Sequence, residues 1–144
     1  MKPSFDHTVS ILVRAYLNDT LEHGNYCACA VGNLIAHEVG AEIVLKNNPL
    51  SVSKYKWIHP KYEGGEWFCG TDKRMEQIKT TGYDLGEIFK IERAFEAQGP
   101  KYNYGTEDQL MFNGLMAVVD VLAEIHGIDL EAKESAKLQF VKTV

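Results

Sequence analysis

The cysteines, asparagine and histidine of residues 25–40, NYCACAVGNLIAHEVG, are the first candidates for chemistry, because this stretch is predicted to form one helix. Cys27 and Cys29 are two residues apart, so on a helix they point roughly 200° apart and cannot bind the same metal ion. Cys29 and His37 share a helix face, but the helical rise separates them by about 12 Å, which excludes a thiol–imidazole pair within the helix. We therefore interpret the stretch as a closely packed helix in which Gly32 lets a neighbouring backbone approach. Cys29 stays a candidate reactive thiol only with a partner from another segment.

Four acids on two further predicted helices are the second candidate site. In the helix over about 84–97, Glu92 falls in the middle of an apolar face and Glu96 lies one turn further along. We assign that face to Leu85, Ile88, Phe89 and Phe95. In the long central helix that follows, Asp120 and Glu124 belong to the single polar stripe. If the two acids of the first helix face the polar stripe of the second, four carboxylates would meet between the helices. Such a site would suit Mg²⁺ or Mn²⁺, with Glu92, Glu96, Asp120 and Glu124 as its ligands. The alternative needs no cofactor: Glu92 pairs with a basic side chain, and Asp120 and Glu124 form a solvated edge.

Two resemblances accompany these patterns. The acids on two helices resemble those of the all-α nucleotide pyrophosphohydrolases, and that resemblance implies magnesium held by helix-borne carboxylates against a triphosphate. The chain departs from the family pattern, since it has only Glu92-x-x-x-Glu96 in the first cluster and Ala117 where the second cluster needs an acid. Residues 29–36, CAVGNLIA, resemble a helix start in small uncharacterised bacterial and phage proteins and imply no activity.

Residues 41–71 are predicted to form an extended insert rich in lysine and aromatic side chains. Its candidate interface residues are Tyr55, Trp57, Tyr62 and Trp67. We favour an insert whose tryptophans cover the helical core while the lysines lie on the solvated side of a hairpin. The alternatives are a contact surface for another protein, where Trp and Tyr are enriched, and a groove that stacks single-stranded bases. The net charge of −5 argues against nucleic acid.

The three cysteines are an odd number for a disulfide framework, so we expect reduced, mostly buried thiols. A disulfide from Cys69 to Cys27 or Cys29 would need an oxidising compartment. The N-terminal residues lack the apolar core of a signal peptide, and no apolar run reaches the roughly 18–20 residues of a membrane span. These features predict a cytoplasmic protein without a membrane segment.

The helix signals predict a mainly α chain with five or six helices in a compact orthogonal or bundle-like domain over residues 1–144, with 41–71 as its small extended or β-hairpin insert. Asp84 and Thr106 each open a helix with a capping-box pattern, and Gly40 and Gly127 are expected to end helices. The five histidines, at positions 7, 23, 37, 59 and 126, show no metal-ligand spacing.

Because no catalytic motif stands out, the sequence predicts a non-catalytic interaction or accessory module. We expect it to form a homodimer and to contact another protein through the insert. The alternative hypothesis is a divalent-metal-dependent nucleotide pyrophosphohydrolase that uses the four helix-borne acids.

Overall fold

The computed structural model describes residues 1–45, 55–58, 66–67 and 74–142. The elements in chain order are helices α1 (Phe5–Leu17) and α2 (Ala30–Val39), strands β1 (Glu42–Leu45), β2 (Tyr55–Ile58) and β3 (Glu66–Trp67), and helices α3 (Arg74–Thr80), α4 (Leu85–Glu96), α5 (Glu107–His126) and α6 (Leu130–Lys137). The prediction of a mainly α fold with a small β insert is confirmed.

Helix ends follow the local chemistry of the sequence. Ser4 caps α1, and the side chains of Asp84 and Thr106 cap α4 and α5 within complete capping boxes. Gly40 and Gly127 end α2 and α5 in the left-handed conformation that favours glycine. The positions of Asp84, Thr106, Gly40 and Gly127 agree with those predicted, because caps depend on a few adjacent residues and not on tertiary packing.

Helix α2 begins at Ala30, five residues later than the predicted start, because residues 25–29 form a turn that ends at the N-cap. The Cys29 side chain is that cap and accepts a hydrogen bond from the Gly32 backbone N–H. A Cβ atom on Gly32 would lie 2.5 Å from the carbonyl oxygen of Tyr26 and 2.9 Å from that of Cys27. The close backbone approach predicted at Gly32 is therefore present, and it comes from the turn just before the helix.

The described residues share one hydrophobic core, to which all of the longer helices contribute. Helix α5 packs against α1, α4 and α6, while α2 packs against α1, α3 and α4. On α4 the buried apolar residues are Ile88, Ile91 and Phe95, whereas Phe89 is 53% exposed. The predicted face of α4 was wrong at Phe89 and also at Leu85, which is 37% exposed, because the helix is rotated so that Ile91 points inward.

The three strands form an antiparallel sheet in the order β1-β2-β3. Trp57 at its centre is paired with Ile43 on one side and with Trp67 on the other. The Trp57 side chain is 1% exposed and its indole Nε1–H donates to the carbonyl of Cys27 at 2.7 Å. This hydrogen bond of Trp57 connects the sheet to the turn before α2. Within the described residues, no helix is long and apolar enough to cross a membrane.

Candidate metal centre

The four acids predicted on α4 and α5 do not meet in the structure. Asp120 is exposed and forms salt bridges to Lys137 at 2.8 Å and to Lys133 at 3.4 Å, both on α6. Glu124 is exposed on the same helix. These acids therefore face α6 and solvent, away from α4. The electrostatics of Asp120 agree with this placement: partial burial alone would raise its pKa, but the hydrogen bonds and charges of the two lysines outweigh that effect and lower it.

The two acids of α4 instead lie near the loop that follows α1. A carboxylate oxygen of Glu96 accepts a hydrogen bond from the Gly24 backbone N–H at 2.8 Å. Burial raises the pKa of Glu96, the nearby charge of Glu92 raises it further, and the hydrogen bond from Gly24 opposes both effects. Glu92 itself is half-buried. Glu96 thus holds this loop in place, which is a structural role that needs no cation.

The same loop places His23 against α4. The His23 ring stacks on Phe95 with ring centroids 4.2 Å apart, and its Nε2–H donates to the Phe95 carbonyl at 3.0 Å. Glycines at positions 99 and 114 leave the room for this ring, since a Cβ atom on either would lie about 3.0 Å from it. Burial lowers the pKa of His23, and the hydrogen bond to Phe95 only partly offsets this. His23 is therefore a packed, neutral histidine.

The predicted interface residues of the insert occupy different environments. Trp57 is buried and cannot present a contact surface. Tyr55 is half-buried, and its hydroxyl donates to the Asp19 carbonyl at 3.2 Å. Trp67 belongs to β3, and Tyr62 lies outside the described residues. For Trp57, the structure supports the favoured interpretation, in which a tryptophan of the insert covers the helical core.

The two cysteines before α2 are chemically distinct. Burial raises the pKa of Cys29 to about 11, so its thiol is protonated at neutral pH and is a poor nucleophile. Cys27 is disulfide-bonded. Cys69, the disulfide partner considered from the sequence, lies outside the described residues. The expectation of reduced thiols is therefore wrong for Cys27. The geometry and pKa of Cys29 give no support to a reactive thiol.

A different cluster does bring metal-binding side chains together. His7, His37 and Glu38 each offer a ligand atom, and these atoms all lie within 4.8 Å of one another. The Nε2–H of His7 donates to Oε1 of Glu38 at 3.2 Å, and the rings of His7 and His37 meet edge to face with centroids 5.5 Å apart. Among the described residues this is the single group of three or more such side chains.

The positions of the three ligands follow from how α1 and α2 are anchored. His7 lies in the first turn of α1, where its backbone N–H donates to the cap Ser4. The next residue, Thr8, is buried and its hydroxyl hydrogen-bonds with that of Tyr83 at 2.7 Å, which fixes the rotation of the helix and leaves His7 on the outer side. His37 and Glu38 occupy the last turn of α2, which packs against α1.

The protonation state of His37 suits metal binding. Partial burial of the ring is the main effect that lowers the pKa of His37, and the charges of Arg14 and His7 lower it further against the opposing effect of Glu38. His37 is therefore neutral at pH 7, the form of imidazole that binds metal ions. The Glu38 carboxylate supplies negative charge beside the two rings.

Two imidazoles and one carboxylate form a donor set that binds a transition-metal ion in many proteins and leaves at least one coordination position open. Metal–ligand bonds of about 2.1 Å require ligand atoms no more than about 4 Å apart, so the side chains would close in slightly around the ion. The three side chains are exposed and can make that movement. The ion would replace the proton that His7 now donates to Glu38.

Sequence reasoning missed this cluster because its ligands come from two helices. His7 and Glu38 are 31 positions apart, and no spacing rule connects them. One local signal was present, since His37 and Glu38 are adjacent at the predicted end of a helix. No protein-family model, curated protein or solved structure matches this chain significantly.

Proposed function

We propose that this protein binds one divalent transition-metal ion through His7, His37 and Glu38 and acts as a small metal-binding accessory protein. The observation that carries the proposal is the approach of all three ligand atoms to within 4.8 Å of one another across two helices. Bound there, the ion would link the first turn of α1 to the last turn of α2 and would keep an open coordination position for another ligand.

The donor set favours particular metals. Imidazole nitrogens suit Zn²⁺, Cu²⁺, Ni²⁺ and Co²⁺, whereas Mg²⁺ and Mn²⁺ prefer sites built from oxygen atoms. Mg²⁺ or Mn²⁺, expected from the four acids on α4 and α5, would need those acids to converge. Asp120 forms salt bridges to α6, so the nucleotide pyrophosphohydrolase hypothesis has little support in these side chains.

The proposal is tested by titrating the protein with Zn²⁺ in competition with a chromophoric chelator under non-reducing conditions. We expect one tight site per chain, and an affinity at least tenfold lower in His37→Gln and in Glu38→Gln, since each substitution removes a ligand. Glu124→Gln is the matched control, because it removes an equal charge from an exposed acid outside the cluster. Equal affinity in all four proteins would refute the proposed site.

Two further expectations stay predictions. A homodimer that contacts another protein is compatible with the metal site, although Trp57 is buried and cannot be the anchor of such a contact. Sedimentation at several protein concentrations, with and without Zn²⁺, measures the oligomeric state. The cytoplasmic location is opposed by the Cys27 disulfide, because structural disulfides are rare in reducing compartments.

A further inference from the structure

A groove of about 530 Å³ lies at the seam between α1, α2 and β1, and His37 of the proposed metal site is one of its lining residues. This volume falls within the range of small-molecule sites in proteins, roughly 300–1,000 Å³. Ile11, Ala15 and Ile43 give the groove an apolar part, and Arg14, Asn18 and Glu42 give it a polar part. A ligand that filled it would need both an apolar body and a charged group.

Arg14 is the arginine among the described residues that line this groove. It lies on α1 seven residues after His7, so the two side chains project from the same side of the helix. Arg14 is exposed, and it has no salt-bridge partner among the residues that the structure describes. A free guanidinium offers two parallel N–H donors to a carboxylate, which is a strong and directional interaction.

The remaining polar groups restrict the ligand further. The Asn33 side chain is already occupied, since its amide donates to the carbonyl of Thr20 at 2.8 Å and to that of Cys29 at 3.1 Å. Among the described residues that line the groove, Glu42 is the single acid. With one arginine and one glutamate among its described lining residues, the groove suits a singly charged anion better than a polyanion such as a triphosphate.

We propose that this groove binds a small organic carboxylate whose carboxyl group lies between Arg14 and the metal ion at His37, with its apolar body against Ile11 and Ile43. The proposal rests on the proposed metal site, because one carboxylate oxygen fills the open coordination position of the ion. The other oxygen accepts from the guanidinium. The ligand therefore bridges a fixed cation of the chain and the bound metal.

The experiment uses Co²⁺ as the bound ion, since its visible absorption bands change when the ligands around it change. Co²⁺-loaded protein is titrated with isovalerate, with acetate and with inorganic phosphate. We expect saturable binding of isovalerate, about tenfold weaker binding of acetate because it buries less apolar surface, and weaker binding of phosphate. In Arg14→Gln the Co²⁺ spectrum without added anion stays unchanged, while the affinity for isovalerate falls at least tenfold. Arg93→Gln, which changes an exposed arginine on α4, is the matched control and keeps the affinity of the wild type.

The outcomes separate this inference from the proposed function. A protein that does not bind Co²⁺ refutes the metal site and the bridging carboxylate together. A protein that binds Co²⁺ but shows the same isovalerate affinity in wild type and Arg14→Gln refutes the carboxylate site alone. If acetate or phosphate binds as tightly as isovalerate, the proposed contact between an apolar ligand body and the groove is refuted.

Discussion

The Nε2 atom of His7 lies 3.2 Å from Oε1 of Glu38, although 31 positions of sequence separate the two residues. The contact joins the start of α1 to the end of α2 and brings the His37 ring beside both side chains. An exposed imidazole–carboxylate contact contributes at most about 1 kcal/mol to folding, so stability alone is a weak reason for this arrangement. A metal ion that replaces the shared proton gives the cluster a chemical role.

Gly32→Ala is expected to destabilise the fold by about 1–3 kcal/mol, because the added methyl would overlap the Tyr26 carbonyl oxygen, 2.5 Å from the new Cβ atom. The matched control is Gly86→Ala on α4, where the Cβ atom meets only the Asp84 side chain at 3.3 Å. That substitution should be neutral or stabilising by up to about 1 kcal/mol, as usual for glycine replaced within a helix. Urea unfolding measures both. Equal destabilisation by the two changes would contradict the close approach at Gly32.

The packing of His23 predicts a loss of stability in mild acid. Its folded pKa is lowered by burial below the unfolded value of about 6.5, so the unfolded chain takes up the proton first. The contribution of His23 is therefore complete above that value and is lost as the pH falls through the folded pKa. The difference in unfolding free energy between wild type and His23→Gln should narrow as the pH is lowered from about 7 to about 5. Titration of the His23 ring by NMR measures its folded pKa directly and needs no variant. A pKa at or above the unfolded value would contradict the account.

The salt bridges of Asp120 should contribute little. Its side chain is 49% exposed, so Asp120→Asn is expected to lower the unfolding free energy by less than about 1 kcal/mol, and by less still in high salt. Because its folded pKa is lowered, the contribution is present above the unfolded value of about 3.9 and is lost as the pH falls below it. The same variant should bind Zn²⁺ as tightly as wild type. A loss of Zn²⁺ affinity in Asp120→Asn would indicate that the acids of α5 contribute to metal binding.

The features that the sequence predicted correctly are those set by neighbouring residues. The capping boxes at Asp84 and Thr106 and the glycine at the end of α2 depend on contacts within one helical turn. The start of α2 was misplaced because the turn before Ala30 is stabilised by tertiary contacts, including the bond from Trp57 to Cys27. The rotation of α4, which places Phe89 outside, also depends on packing against other helices.

The candidate site was beyond sequence reasoning for the same physical cause. Its ligands become neighbours only when α1 packs on α2, and the rotation of α1 is fixed partly by Thr8 and Tyr83, far apart in the chain. The acids that the sequence singled out are spaced four residues apart on each helix, which is close to the period of an α-helix. Periodicity shows which side chains share a face, but it does not show which faces meet.

Histidine side-chain NMR tests the metal site most directly, because it observes each imidazole separately. On addition of one equivalent of Zn²⁺ to ¹⁵N-labelled protein, the ring-nitrogen signals of His7 and His37 should shift to values of metal-bound imidazole. The signals of His23 and His126, whose Nε2 atoms hydrogen-bond to Phe95 and Tyr83, should stay unchanged. Unshifted signals of His7 and His37 at one equivalent would contradict the proposed metal centre.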